Sequence, residues 1–277
     1  MRQSKTTDTA GQKEFWSEWS DDYYKDLYKD VENYPSLILR HKYILDLFDQ
    51  AEKRVLDIGC GPGEMVRDLL KRKCRVYGVD IAEGMLKVAR NNLGHEVDGG
   101  ETFLGCGDIE HLSFKENSFD AVICAGVVEY LEQDDTGLRE LNRVLRKGGT
   151  LIVTVRNKAC PARILDPLLD RLKGGSGGRR LIGSVKRQLK MDDGRVSPFT
   201  PYRKHYPWEF DRKLVDHGFK KEDVRYFHFY PFFVPLDRLF PKLAVSLGLR
   251  MERLTNTWLG FLGSGYIVKA RKQKDLL

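Results

Sequence analysis

Short apolar runs alternate with segments of helical periodicity through the middle of the chain. Runs rich in Val, Ile and Leu are typical of buried strands, and apolar residues recurring every three or four positions are typical of amphipathic helices. This alternation requires crossover connections, which makes the strands parallel and covers both faces of the sheet. The predicted strands are Arg54–Ile58, Arg75–Val79, Thr102–Cys106, Ala121–Cys124 and Thr150–Val155, and the predicted helices are Glu64–Lys71, Glu83–Asn91 and Thr136–Arg146.

Further elements are predicted on both sides of this core. Two helical patterns precede it, the first of them rich in aromatic residues. After it, a helix that ends at a glycine is followed by two strands, and the connection between those strands is unusually apolar. The helices are predicted at Phe15–Tyr28, Ser36–Phe48 and Pro207–His217, the strands at Asp223–Phe229 and Gly265–Arg271, and a helical stretch between the strands runs through Leu239, Leu243 and Leu247.

The charge is unevenly distributed. The chain has 47 basic and 40 acidic residues, a net charge of +7, and Arg171–Lys190 alone holds seven basic residues and no acid. Leucine and isoleucine lie among those basic side chains, a pattern that suits a helix on an anionic membrane surface. A solvated lid over an active site is the alternative, and both interpretations remain open.

Other classes of protein are disfavoured. No apolar run approaches the roughly 20 residues of a membrane-spanning helix, and the polar N-terminus lacks a secretory signal. We therefore expect a cytoplasmic protein, with peripheral contact to the inner membrane face as the alternative. The five cysteines form no CxxC pair and the six histidines have no metal-ligand spacing, so we expect no metal site.

The strongest chemical signal is a glycine-rich turn that follows the first strand. Val55–Ile58 leads directly into Gly59, Gly61 and Gly63 before a helix begins. Glycines permit positive φ angles and allow a ligand to approach the backbone closely. Asp80 ends the next strand, about 20 residues further on, where a carboxylate can accept hydrogen bonds from both hydroxyls of a ribose. Together these features predict an adenosine-containing ligand.

The glycine spacing discriminates between adenosine ligands. The dinucleotide pattern G-x-G-x-x-G would need a glycine at position 64, but that residue is glutamate and the third glycine is Gly63. A glutamate at position 64 would repel the negatively charged pyrophosphate of a dinucleotide. Asp57, just before the turn, suits a cationic ligand, and S-adenosylmethionine carries both a sulfonium and an ammonium. The sequence therefore favours methyl transfer over hydride transfer.

Residues from about 57 to 157 resemble the class I methyltransferases, especially those of ubiquinone and menaquinone biosynthesis. The matching motifs are Asp57–Gly63, Gly78–Asp80, Gly107–Ile109, Phe119–Cys124 and Glu140–Gly149. The resemblance implies an α/β, Rossmann-like, doubly wound sheet of seven mostly parallel strands with the last strand antiparallel, preceded by N-terminal helices and interrupted by a helical insertion after strand five. The predicted segments are a disordered leader (1–13), N-terminal helices capping the cofactor site (14–50), the S-adenosylmethionine-binding core (51–157), a basic helical insertion (158–200), and the C-terminal part of the same domain with strands six and seven (201–277).

The same resemblance assigns cofactor-binding roles. It implies that the three glycines contact the methionine portion, that Asp80 binds the ribose, that Asp108 and Ile109 bind the adenine, and that Arg40 binds the methionine carboxylate. Tyr23 and Tyr24, on the leading helix, either cover the cofactor as a lid or pack between helices. The full predicted cofactor set is Tyr24, Arg40, Asp57, Gly59, Cys60, Gly61, Gly63, Asp80, Ile81, Met85, Asp108, Ile109 and Ala125.

Three residues are candidates for catalysis. Glu129 and Tyr130 follow the fourth strand, where the quinone enzymes commonly have Glu-His, so the tyrosine leaves a general-base role in doubt. His205 precedes a predicted helix in a segment that commonly borders the acceptor pocket of similar enzymes. Packing is the alternative role for each of them.

The hypothesis from sequence is an S-adenosylmethionine-dependent methyltransferase that acts on a small-molecule or lipid-like acceptor, such as a quinone, isoprenoid or sugar. The residues after strand four, Ala125–Val128, are not the motif that methylates a flipped adenine, which disfavours nucleic acid. An RNA methyltransferase and a non-catalytic cofactor-binding protein remain as alternatives. The acceptor and the oligomeric state stay open.

Overall fold

The computed structural model describes residues 9–24, 35–49, 51, 53–97, 100–161, 203–232 and 240–276. Within these ranges a mixed sheet has helices on both faces. Its strands are β1 Arg54–Ile58, β2 Arg75–Asp80, β3 Thr102–Cys106, β4 Phe119–Cys124, β5 Leu145–Asn157, β6 Lys204–His205, β7 Phe219–Phe229 and β8 Gly263–Lys272. The helices are α1 Thr9–Glu18, α2 Ser20–Tyr24, α3 Pro35–Leu47, α4 Glu64–Lys71, α5 Glu83–Leu93, α6 Asp134–Val144, α7 Pro207–Asp216 and α8 Pro241–Met251.

The strand order is β3-β2-β1-β4-β5-β8-β7, and β8 is antiparallel to both of its neighbours. The strand order reverses direction at β1, since β2 lies on one side of it and β4 on the other. The predicted Rossmann-like, doubly wound fold with an antiparallel last strand is therefore confirmed. The sheet has eight strands rather than seven because the two-residue β6 pairs in parallel with the end of β5.

Several boundaries differ from the sequence prediction. The helix predicted over Thr136–Arg146 covers Asp134–Val144, because Leu145 pairs with Phe119 and already belongs to β5. The helix predicted from Phe15 is divided into α1 and α2, and α1 begins at Thr9, inside the segment predicted to be a disordered leader. Residues 162–200, with the basic cluster Arg171–Lys190, lie outside the described residues, as does Leu239.

Alternate residues of β1 enter two apolar layers, one on each face of the sheet. Leu56 and Ile58 pack into one cluster and Val55 into the other. Such alternation follows from the period of two in a strand. Asp57 occupies the next position on the Val55 face and is only 2% exposed, so a carboxylate replaces an apolar side chain at the centre of the sheet.

A second buried carboxylate, Asp134, joins α6 to the segment around β6 and α7. Its Oδ2 lies 3.0 Å from His205 Nε2 and accepts a hydrogen bond from Lys213 Nζ at 2.8 Å. Arg203 Nη1 lies 2.8 Å from Oδ1 as an ion pair without hydrogen-bond geometry. Burial raises the pKa of Asp134, but the bonds from His205 and Lys213 outweigh it and lower the pKa to about 2. His205 is thus fixed by a buried partner.

We predict that Asp134→Asn destabilises the protein by roughly 2 kcal/mol at pH 7, since a fall in pKa of one unit corresponds to about 1.4 kcal/mol. A lowered pKa stabilises the fold above the unfolded-state value near 4, and that stability is lost as the pH falls towards 2. Urea unfolding should therefore show a gap between variant and wild type at pH 7 that narrows at pH 3. The exposed neighbour Asp135 supplies the control, Asp135→Asn, for which we expect a smaller change; equal losses would contradict the assignment.

Candidate cofactor site

The glycine-rich turn after β1 has the backbone geometry that the sequence predicts. Gly59, Gly61 and Gly63 all have positive φ angles, of 70°, 51° and 87°. A Cβ atom on Gly59 would lie 2.3 Å from Val127 Cγ2, whereas the same position on Gly61 is open space. Gly59 is therefore required for packing as well as conformation. Gly61 leaves the backbone accessible to a ligand.

A cavity of about 350 Å³ opens over this turn, at the carboxyl ends of β1, β2, β3 and β4. Ligands of open α/β sheets bind at this edge, where the strand order reverses. Most of the residues predicted from sequence line this cavity. They are Arg40, Gly59, Cys60, Gly61, Asp80, Ile81, Met85, Asp108, Ile109, Ala125, Glu129 and Tyr130.

Asp57 lies beneath the turn and lines a small adjoining cavity of about 30 Å³ together with Arg40, Gly59 and Cys60. Its Oδ2 atom is buried and has no hydrogen-bond partner among the described residues. Burial and the nearby Asp80 raise the pKa of Asp57 to about 7, against the opposing effect of Arg40. A buried, unpaired carboxylate oxygen is unfavourable unless a cation or donor reaches it. Asp57 therefore suits a positively charged ligand.

Asp80 is fixed at the end of β2 by the backbone. Its Oδ2 accepts a hydrogen bond from Gly61 N and its Oδ1 from Ala82 N, both at 2.9 Å. Burial raises its pKa, and these N–H donors oppose the rise. Each carboxylate oxygen can accept a further bond. The remaining lone pairs can therefore receive two hydroxyl groups of a ligand.

Asp108 and Ile109 follow β3 on the far side of the cavity. Asp108 Oδ1 accepts a hydrogen bond from Glu110 N at 2.9 Å, which holds the loop in a tight turn. Ile109 is buried in the core cluster while it also contributes to the cavity wall. An apolar wall next to a carboxylate can accommodate a flat heterocycle such as adenine.

Three of the predicted site residues lie elsewhere. Tyr24 hydrogen-bonds to Glu64 instead of lining the cavity, and burial together with that carboxylate raises its pKa. Gly63 caps α4 and packs close to Ala89, so its role is conformational. His205 is directed to Asp134, as described above, and is absent from the cavity wall because that buried ion pair holds it.

An aromatic wall covers the cavity from the N-terminal side, and the sequence assigned no site role to two of its members, Trp16 and Trp19. Trp16 lies on α1, Trp19 on the turn between the two helices and Tyr23 on α2, and all three line the cavity. Trp16 makes an edge-to-face contact with Tyr130, with ring centroids 5.5 Å apart, and Gln12 Nε2 donates to the Tyr130 carbonyl at 3.2 Å. The aromatic periodicity is visible in the sequence. The partner of the helix is not, because Tyr130 lies more than a hundred residues away.

The cavity wall also contains an ion pair next to Tyr130. Glu129 is buried, and its Oε1 lies 3.5 Å from Arg156 Nε at the end of β5. The Glu129 carbonyl also accepts a hydrogen bond from Arg203 N at 2.8 Å. Arg156 was not predicted, since nothing in the local sequence marks the last residues of β5 as part of the site. Across the described part of the chain, no cluster of His, Cys, Asp or Glu is arranged to hold a metal ion.

Residues 56–153 match a protein family described as "Methyltransferase domain". This segment is a methyltransferase domain. It coincides with β1 to β5 and with the glycine turn, so the family resemblance stated from the sequence is confirmed for the segment that builds the cavity. A methyltransferase domain on this fold implies S-adenosylmethionine as its cofactor. No helix among the described residues is long and apolar enough to span a bilayer.

Curated relatives match mainly this domain. The ubiquinone biosynthesis O-methyltransferase of Chromobacterium violaceum is 30% identical over 127 residues, which cover 44% of this chain and 53% of that protein. The biotin biosynthesis bifunctional protein BioHC of Saccharophagus degradans is 35% identical over 105 residues, which cover 38% of this chain and 18% of that protein. The chain thus spans about half the length of the first relative and much less of the second. The two names belong to different pathways, so they do not agree on an acceptor.

The fold is shared more widely than the sequence. A chain from the complex between the Haloferax volcanii Trm112 methyltransferase activator and a methyltransferase superposes with a TM-score of 0.60 at 17% identity. The superposition covers 95% of this chain and 99% of that one. At this identity the comparison shows the fold alone.

The cavity of the methyltransferase domain fits S-adenosylmethionine. The unpartnered oxygen of Asp57 can receive a cationic group, the open face of Gly61 admits a ligand to the backbone, and Asp80 can bind a ribose. Arg40, whose guanidinium lies beside Gly126, would hold the carboxylate of the methionine moiety. These residues together could supply partners for the carboxylate, one cationic group and the ribose of the cofactor.

We predict that Asp57→Asn stabilises the ligand-free protein at pH 8, by at most about 4 kcal/mol for a pKa raised by about three units. The raised pKa means that the wild type loses stability as the pH rises from about 4 to about 7, because the carboxylate must ionise while buried. The gain should therefore disappear at pH 4. Urea unfolding at both pH values measures it.

The matched control for that comparison is Asp108→Asn, because Asp108 lines the same cavity but accepts a hydrogen bond from Glu110 N. We expect no stabilisation from this variant at either pH. A destabilised Asp57→Asn protein at pH 8 would show that the carboxylate has a partner that supports the fold.

Proposed function

We propose that this chain transfers a methyl group from S-adenosylmethionine to a small-molecule or lipid-like acceptor. The observation that carries the proposal is the buried carboxylate of Asp57, beneath a glycine turn at the strand switch point, whose Oδ2 has no hydrogen-bond partner among the described residues. S-adenosylmethionine supplies, when bound, a methyl group on a sulfonium that is open to in-line attack. The residues of the chain bind, orient and shield the reactants.

Orientation of the cofactor follows from the positions of the charged groups. Arg40 and Asp57 lie at one end of the cavity, and Asp108 and Ile109 at the other. In the proposed complex the first pair holds the carboxylate and ammonium of the methionine moiety, and the second pair borders the adenine. Asp80, between them, accepts the ribose hydroxyls. Ala125, which also lines the cavity, would border the bound cofactor.

The acceptor side is formed by Glu129 and Tyr130 together with the aromatic wall of Trp16, Trp19 and Tyr23. Methyl transfer requires the attacking atom to be aligned and unprotonated. Glu129 is buried beside Arg156, so it is held in one position and can accept a proton from a hydroxyl or an amine. We propose Glu129 as the base or anchoring group for the acceptor, and the aromatic side chains as the surface that excludes water.

The acceptor class rests on the relatives and on composition. One relative is named for ubiquinone biosynthesis, which supports a quinone-like acceptor, while an isoprenoid or a sugar remains an alternative. We also propose a cytoplasmic location with peripheral contact to an anionic membrane surface through Arg171–Lys190, a segment that lies outside the described residues.

We predict that Asp80→Ala lowers the affinity for S-adenosylmethionine by about 100-fold, because two hydrogen bonds to a charged acceptor are lost. Isothermal titration calorimetry measures the affinity and circular dichroism the fold. Asp80→Asn keeps one acceptor oxygen for the hydrogen bonds of the turn. It therefore shows whether a loss of affinity in Asp80→Ala comes only from unfolding. Glu101→Ala, an exposed acid at the start of β3, is the control, and an unchanged affinity in both Asp80 variants would refute the proposed ribose contact.

The acceptor can be identified by incubating a cell extract with the protein and deuteromethyl-labelled cofactor, followed by mass spectrometry. A labelled small molecule or lipid supports the proposal. Cofactor binding without any labelled product would indicate the non-catalytic alternative, and label in RNA would indicate an RNA methyltransferase.

With the acceptor in hand, we predict that Glu129→Gln lowers kcat by about 100-fold while the cofactor affinity is unchanged, since general-base catalysis contributes on this scale. Steady-state kinetics and calorimetry separate the two effects. Glu116→Gln, an exposed residue outside the cavity, is the matched control. A rise in KM with kcat unchanged would instead make Glu129 an anchoring residue.

A further inference from the structure

The connection between β7 and β8 exposes an unusual amount of apolar surface. It comprises α8 and two short helical turns, Glu252–Leu254 and Trp258–Leu262. Among the described residues, five of the eight exposed large apolar side chains lie in this connection. They are Phe240, Leu243, Leu249, Trp258 and Phe261, which we call the C-terminal patch. Trp258 is 80% exposed.

The backbone under the patch is firmly held. Asn157 Nδ2, at the end of β5, donates hydrogen bonds to the carbonyls of Phe261 and Gly263, both at 2.7 Å. A Cβ atom on Gly260 would lie 2.8 Å from the ring of Tyr226, so the turn is pressed against β7. The outward direction of Trp258 and Phe261 is thus a property of an anchored turn. Exposed aromatic side chains on an ordered turn mark an interaction surface.

Within the described residues 240–262, the exposed charges have one sign. Lys242, Arg250 and Arg253 are exposed between the apolar side chains. Glu252 is the single acid between residues 240 and 262, and it is buried, where it accepts hydrogen bonds from Tyr43 Oη at 2.9 Å and from His228 N at 2.8 Å. The described part of this surface therefore presents aromatic and aliphatic groups together with positive charge. This combination matches the interface of an anionic bilayer, where tryptophan lies at the headgroup level and basic residues meet the lipid phosphates.

The patch lies at the same edge of the sheet as the cofactor cavity. β7 is parallel to β5, since both are antiparallel to β8, and its last residue, Phe229, pairs with Gly263 at the start of β8. The connection between them therefore leaves from the carboxyl edge, where β1, β2 and β4 border the cavity. A bilayer docked there would meet the protein at its cofactor-binding edge.

We propose that the C-terminal patch, with Lys242, Arg250 and Arg253, is a docking surface for an anionic lipid bilayer. This surface is separate from the basic segment Arg171–Lys190, and it does not depend on the methyltransferase activity. Trp258 and Phe261 enter the interface, and the three basic side chains bind the lipid headgroups.

The test measures binding of the full chain to vesicles of equimolar phosphatidylcholine and phosphatidylglycerol, with pure phosphatidylcholine as the reference, by co-sedimentation. We expect Trp258→Ser/Phe261→Ser to lower the partition coefficient by about tenfold. Lys242→Glu/Arg250→Glu/Arg253→Glu should lower it by about 100-fold or more, since each basic residue near the surface contributes about fivefold.

The control carries the same change of charge at the opposite edge of the sheet. Lys115→Glu/Lys147→Glu/Lys274→Glu replaces three exposed lysines that lie near the start of β4, the start of β5 and the end of β8. It should keep most of the vesicle binding. If the control falls as far as the patch variants, if neither patch variant falls, or if the wild type does not prefer anionic vesicles, the proposal is wrong.

Two further measurements keep the outcome unambiguous. The affinity of each variant for S-adenosylmethionine reports an intact fold, and it also separates a failure of docking from a failure of the proposed function. Light scattering across protein concentrations tests self-association. A dimer that disappears in Trp258→Ser/Phe261→Ser would assign the patch to a second copy of the chain and overturn lipid docking.

Discussion

Two buried carboxylates, Asp57 and Asp80, lie close together at the point where the sheet reverses its strand order. Like charges in a poorly solvated site destabilise each other. Asp80 is compensated by two backbone N–H groups, whereas Asp57 keeps one oxygen without a partner among the described residues. The site therefore needs a cation to compensate the charge of Asp57. Until a cation binds, this buried carboxylate lowers the stability of the protein.

The surrounding architecture follows from this requirement. β1 is the strand at which the order reverses, so its carboxyl end is open between the helices that follow β1 and β4. Positive φ angles in the glycine turn bring backbone N–H groups to the same place. The N-terminal helices then close the cavity with Trp16, Trp19 and Tyr23 and limit the access of water, which strengthens each electrostatic contact inside.

The sequence predicts those elements whose signals lie within a few neighbouring residues. The strand, turn and helix from Val55 to Lys71 were predictable because apolar periodicity and glycine spacing are encoded within a few residues. The pairing of β6 with β5 was not predictable, since two residues carry no periodicity. His205 was assigned to the acceptor pocket from its position in the chain, but its partner Asp134 lies 71 residues earlier and only the tertiary structure brings them together. Arg156, Trp16 and Trp19 received no site role from the sequence for the same reason.

The central claim is that ionised Asp57 receives the positive charge of S-adenosylmethionine. Calorimetric titration of the wild type and Asp57→Asn between pH 6 and pH 8 tests it directly. With a ligand-free pKa of about 7, the ratio of wild-type to variant affinity should rise about tenfold over this range, and the wild type should release a proton on binding at pH 6. Equal affinities for the two proteins, with a ratio independent of pH, would contradict the account.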